Sequence, residues 1–188
     1  MPILGIIASS LPPVSGAYES IASASGDGSS STITFSSLPT NYTSLQLRFM
    51  CKGTRSFIYE ALYVRLNGDA GNNYASHYLY GDDGGGPGAA STAPVNVIYA
   101  GWMPAATVSG TKMGTGIVDL HDYNSTARNK TVRVFSGFST NTTGGGYSFV
   151  NLSSGVWLNT NAVTSISFLS NGAFTTDSRF ALYGIKGA

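Results

Sequence analysis

Residues 44–52 read SLQLRFMCK, and the spacing of their side chains decides the fold class. Leu45, Leu47, Phe49 and Cys51 alternate with Gln46, Arg48, Met50 and Lys52. A period of two puts the first set on one face of an extended strand and the second on the other. The same alternation, bounded by Gly, Asn, Ser or Pro, recurs in YESIASA, STITFS, ALYVRL, YASHYLYG, NVIYAGWM, GIVDLHD, KTVRVFSGF, YSFVNL, SGVWL, VTSISFL and RFALYGIK. That makes about a dozen short strands and no helical apolar stripe. With so many β-branched and aromatic residues between regular turn signals, the pattern predicts an all-β chain, an antiparallel jelly-roll-like β-sandwich. The expected core is Ile33, Phe35, Leu45, Leu47, Phe49, Val64, Leu66, Ile117, Val118, Val132, Val134, Ile166, Phe168, Phe180 and Leu182. Two stretches read as long loops, NGDAGNN at 67–73 and GDDGGGPGAASTAP at 81–94. The second has little to pack and is expected to move or to be held by a neighbour.

Composition narrows the function classes. The 188 residues suit one domain plus a short extension. Only 10% are charged and 24 are Gly, so much of the surface is polar but uncharged. Ten basic and nine acidic residues, without any run of one sign, give a net charge of +1. The basic footprint of a nucleic-acid binder is missing, so no nucleic-acid partner is expected. Weak charge repulsion between copies suits an assembled protein better than a freely diffusing one.

Catalytic and metal-binding patterns are sparse. His77 and His121 each sit inside a strand pattern, in no metal-ligand spacing. Asp82 with Asp83 and Asp119 with Asp122 could pair carboxylates, but loop solvation and turn capping account for them more simply. Cys51, the single cysteine, reads as a small buried hydrophobe. The glycine clusters GDDGGGPG and TTGGGYS lack the Lys-Ser/Thr ending of a phosphate loop. Asp69, Asn72 and Asn73 offer oxygen ligands for calcium, without helix-loop-helix spacing. N-x-S/T triplets at Asn41, Asn124, Asn129, Asn141 and Asn151 fit an Asn, Ser and Thr-rich surface. Tyr and Trp residues are candidates for carbohydrate contact, with core or interface packing as their simpler role. The expectation is a protein that is not an enzyme and uses no cofactor.

The chain opens MPILGIIASSLPPVSG. This apolar run lacks a charged leader and falls short of the roughly 20 apolar residues that span a bilayer, so neither export nor a membrane partner is expected. Residues 1–17 instead read as an extended docking arm ahead of a sandwich domain at 18–188. Ile3, Leu4, Ile6 and Ile7, with Leu11, are the anchors a partner would bury, and Pro12 and Pro13 stiffen the exit toward the first strand.

The opening ILGIIASS, the stretches VRLNGDAGNNYASHYLYGD, DLHDYNSTARNKTVR and GVWLNTNAVTSISFLSNGAF, and the ending FALYGIKGA together resemble a family of tailed-bacteriophage virion structural proteins of aquatic and cyanobacterial phages. The likeness covers essentially the whole chain. Members of that family are described as capsid decoration, fibre or simply structural proteins. The resemblance implies a β-sandwich that assembles as a homo-oligomer, a trimer, on the outside of a virion. The expected function is a capsid cement or decoration protein on the outer shell, made in the host cytoplasm, whose arm grips the major capsid protein or another virion protein. The alternative is a tail or head fibre, or a receptor-binding tip touching a host surface glycan.

Overall fold

The computed structural model describes residues 16–141 and 147–187. Among these residues the chain forms twelve strands and no helix. They are β1 (Tyr18–Ser25), β2 (Thr32–Ser36), β3 (Ser44–Cys51), β4 (Tyr59–Leu66), β5 (Tyr74–Asp82) and β6 (Gly86–Val95). The second half adds β7 (Ile98–Pro104), β8 (Gly114–His121), β9 (Lys130–Phe138), β10 (Phe149–Trp157), β11 (Ser165–Ser170) and β12 (Arg179–Ile185). An eight-stranded sheet runs β1-β12-β3-β8-β9-β10-β5-β6, and a four-stranded sheet runs β2-β11-β4-β7. All pairings are antiparallel.

The core lies between the two sheets, as the period-two reading of β3 requires. Leu45, Leu47, Phe49 and Cys51 are buried there. Phe49 packs edge-on against Phe168 of the opposite sheet, ring centroids 5.5 Å apart, and Phe180 stacks nearby. Burying each such side chain contributes roughly 1.5–3 kcal/mol. Every expected core residue is buried except Ile117, which is 36% exposed. The reason is geometric. Ile117 and Val118 are adjacent, so only one can face inward, and Val118 shares its face with buried Leu120.

The glycine-rich stretch at 81–94 is also corrected. It forms the turn and outer strand of a hairpin, with β6 paired to β5 along Asp82↔Gly86 through Tyr74↔Val95. Its small side chains carry little strand propensity, but the backbone ladder to β5 supplies the pairing that composition did not announce. The loop at 67–73 is a loop as expected, and it is well tied. Asp69 accepts hydrogen bonds from Trp157 Nε1 at 2.7 Å and Asn73 Nδ2 at 2.9 Å.

Strand β7 is where the sheets meet most closely. It is the last strand of the small sheet, bonded on one side to β4, and it packs on β9, β10 and β5 of the large one. Three serines bond backbone groups of Tyr99 and Ala100 that no strand pairs. Ser136 Oγ donates to the Ala100 carbonyl at 2.9 Å, Ser153 Oγ donates to the Tyr99 carbonyl at 2.6 Å, and Tyr99 N–H donates to Ser76 Oγ at 3.0 Å. Between them Gly101 adopts φ +109°, and a Cβ there would stand 2.3 Å from Ser136 Oγ. Glycine is required on both counts. Replacing Ser153 or Ser136 by Ala leaves a buried carbonyl of β7 unpaired, and each substitution should lower unfolding free energy in urea by about 1–3 kcal/mol. A loss near zero would show that these hydroxyls do not hold the strand.

Candidate functional site

The arm residues Ile3, Leu4, Ile6, Ile7, Leu11, Pro12 and Pro13 lie outside the described residues, as does part of the TTGGGYS cluster. The other candidates separate rather than converge. Cys51 is fully buried, its thiol 3.3 Å from Met103 Sδ, and burial pushes its pKa up, away from thiolate chemistry. His121 Nδ1 lies 2.9 Å from Ser44 Oγ, whereas His77 is exposed on β5. Asp82 accepts hydrogen bonds from the backbone N–H groups of Gly84 and Gly85, and Asp83 from those of Tyr147 and Ser148. Asp122 is paired with Arg128 at the surface. Among the described residues, no three His, Cys, Asp or Glu side chains come together as a metal-binding group. Of the five Asn triplets, Asn151 is buried and cannot present its amide to a modifying enzyme.

What the structure brings together instead is apolar surface. On β8, β9, β10, β5 and β6 the cross-strand partners Ile117↔Phe135, Phe135↔Leu152, Leu152↔Leu79 and Leu79↔Ala89 line up at one level of the ladder. At the usual strand spacing this row is about 19 Å long. Its side chains stand on the outer face of the large sheet, with Phe135 58% and Leu79 59% exposed. Val150 stands beside the row, flanked across the ladder by Gly81 and Gly137, which raise no side chain to cover it. A depression of 550 Å³ lies between Leu79, Ala89 and Leu152, bordered by His77, Arg133 and Ser154. The largest apolar patch on an ordinary monomer covers roughly 300–600 Å² and is often functional, and this row is a patch of that kind.

A charged pair edges the row. Arg133 and Asp119 bridge at 2.9 Å, and Gln46 Nε2 also donates to Asp119. Burial pulls the Asp119 carboxyl upward, but the hydrogen bonds from Gln46 and Arg133 outweigh it and keep the pKa below its ordinary value. The two charges are thus neutralised by each other beside an apolar face.

Sequence reading missed this row because Ile117, Phe135 and Leu79 each sit next to another apolar or aromatic residue. One signal was available. Phe149 and Trp157 are eight residues apart in β10 and both face inward. Period two therefore sends Val150 and Leu152 outward.

Comparison with protein-family models, with curated protein sequences and with solved structures finds no match.

Asp69 reads as a structural ligand of its own loop rather than of calcium. The hydrogen bond from Trp157 comes first among the interactions that lower its pKa, followed by that from Asn73. A carboxylate lowered in the folded state stabilises fully above its ordinary value of 3.8, and the gain fades as pH falls through the lower folded value. Asp69→Asn should reduce stability at pH 7 and narrow the difference from the native chain as pH falls below that window. Chemical denaturation at pH 7 and pH 2.5 checks this, and a deficit that is unchanged or larger in acid contradicts it.

Proposed function

We propose that this chain is a non-enzymatic structural subunit of a phage virion, a cement or decoration protein that assembles as a trimer on the outer capsid surface. The observation that carries this reading is the exposed row Ile117, Phe135, Leu152 and Leu79 on the outer face of the large sheet. A chain with a net charge of +1 puts little repulsion between copies, so a second copy is the occupant this face favours. The arm at residues 1–17 then reaches the major capsid protein or another virion protein through Ile3, Leu4, Ile6, Ile7 and Leu11.

The strand order supports a jelly roll as the finer description of the fold. In that fold a long antiparallel ribbon is wound so that first pairs with eighth strand, second with seventh, third with sixth and fourth with fifth. Counting from β2, the corresponding pairs are β2 with β11, β3 with β8, β4 with β7, and β5 with β6. The meander β8-β9-β10 stands where one seventh strand would be. Three strands preserve the antiparallel alternation that one would give. β1 and β12 are added at the edge beyond β3.

Two outcomes are expected. Sedimentation should give the mass of a trimer for the native chain and of a monomer for Phe135→Asp combined with Leu152→Asp, with strand content unchanged by circular dichroism. A monomeric native chain at about 100 µM, well above the dissociation constants of specific assemblies, overturns assembly through this face. On the particle, deletion of residues 2–10 should abolish virion binding while leaving the oligomer intact. A band nearly as intense as that of the major capsid protein on a gel of purified virions identifies shell cement, and a minor band identifies a fibre.

A further inference from the structure

On the side of the molecule away from the apolar row, a second surface has a different chemistry. We propose that the groove between the small sheet's β4–β7 edge and the overhanging β5–β6 hairpin is a saccharide-binding site, taking a pyranose oligosaccharide. The inference does not rest on the location of the protein on shell or tail.

The groove has a volume of 640 Å³, within the roughly 300–1,000 Å³ range of small-molecule sites. Its aromatic lining is Tyr63 from β4, Tyr78 from β5, and Tyr99 and Trp102 from β7. The rings pack as one cluster around the buried Tyr99, tilted or edge-on to it. Tyr99 lies 4.2 Å from Tyr78, 5.1 Å from Trp102 and 6.3 Å from Tyr63, centroid to centroid. Trp102 and Tyr63 remain partly open to solvent. Such ring faces suit the C–H faces of a sugar, which present apolar hydrogens on one side and hydroxyls around the rim.

The backbone is shaped for this. Tyr99 and Trp102 are three residues apart, so in a regular strand they would point to opposite faces. The ladder from β4 to β7 slips between Leu62↔Gly101 and Tyr63↔Tyr99, leaving Ala100 as an extra residue. This bulge, at the positive φ of Gly101, returns Trp102 to the face that carries Tyr99. Bulges that re-aim a side chain in this way recur next to functional sites.

The polar lining is equally suited. Arg65, Asn96 and Asn171 lie along the groove, with no carboxylate among its lining residues. Arg65 Nε donates to the Asn96 carbonyl at 3.3 Å. Amides and a guanidinium supply the planar donors and acceptors that vicinal sugar hydroxyls pair with. The Tyr99 hydroxyl is buried and has no hydrogen-bond partner among the described residues.

Full-length protein is titrated calorimetrically with four probes, maltotetraose, cellotetraose, chitotetraose and tetragalacturonic acid, and with a peptide of residues 8–16 of this chain, ASSLPPVSG, as the proline-rich rival for an aromatic groove. Saturable binding of at least one saccharide is expected, weakened about tenfold or more by Tyr63→Ala and by Trp102→Ala. Asn171→Ala and Arg65→Gln serve as milder variants whose melting temperature must match the native chain, and at least one of them should also weaken binding. Loss on Arg65→Gln confined to tetragalacturonic acid would assign an acidic sugar, and equal loss across probes a neutral one. The proposal is overturned if no saccharide binds at about 5 mM. It is equally overturned if only the peptide binds, or if all correctly folded variants bind as the native chain does.

Discussion

The structure depends on how strand β7 is accommodated. As the outer strand of the four-stranded sheet it has a row of backbone groups with no fifth strand to pair them, yet it packs directly on the larger sheet rather than facing water. Buried backbone groups must be paired, and at Tyr99 and Ala100 the pairing comes from Ser76, Ser136 and Ser153. Those hydroxyls occupy inward positions on β5, β9 and β10 that would otherwise hold aliphatic side chains. Gly101 adds the close approach that brings the backbone within their reach.

Both surfaces of interest follow from that arrangement. With serine and Asn151 facing inward on β9 and β10, the apolar residues of these strands that alternate with them, Phe135, Val150 and Leu152, face outward. The inside-out pattern is local. On β3, β12 and the first part of β9, where the small sheet is fully overlaid, the ordinary alternation returns and Leu47, Leu182 and Val132 are buried. The bulge that lets β7 sit against the serines also turns Trp102 toward Tyr99. One local solution to backbone pairing therefore produces an exposed apolar row on one side and an aromatic groove on the other.

This explains which parts were legible in the sequence. Period two identified the strands because most of them bury one face against an apolar partner, as Leu45, Leu47 and Phe49 do in β3. The face assignment failed where two apolar residues are adjacent, as at Ile117 and Val118, because alternation alone does not say which is inside. It failed for 81–94 because strand pairing there is carried by backbone, not by side chains. The aromatic groove was hidden for a different reason. Its rings come from β4, β5 and β7, and the bulge at Ala100 breaks the periodicity from which their shared face would be read. Aromatic residues were visible as candidates, but their convergence is a property of the tertiary packing.

The apolar row also bears on how firmly the proposed oligomer holds. A patch of roughly 300–600 Å² falls short of the about 800 Å² per partner that a standard stable interface buries. The overall shortage of charge makes up little of the difference, since the surface offers few complementary pairs beyond those already closed on themselves, such as Arg133 with Asp119 and Lys186 with Glu19. In the proposed assembly the five aliphatic side chains at Ile3, Leu4, Ile6, Ile7 and Leu11 add contact with the virion partner, not with the other copies in the oligomer. In the proposed particle, the sheet face sets the oligomer and the arm sets what the oligomer is fastened to.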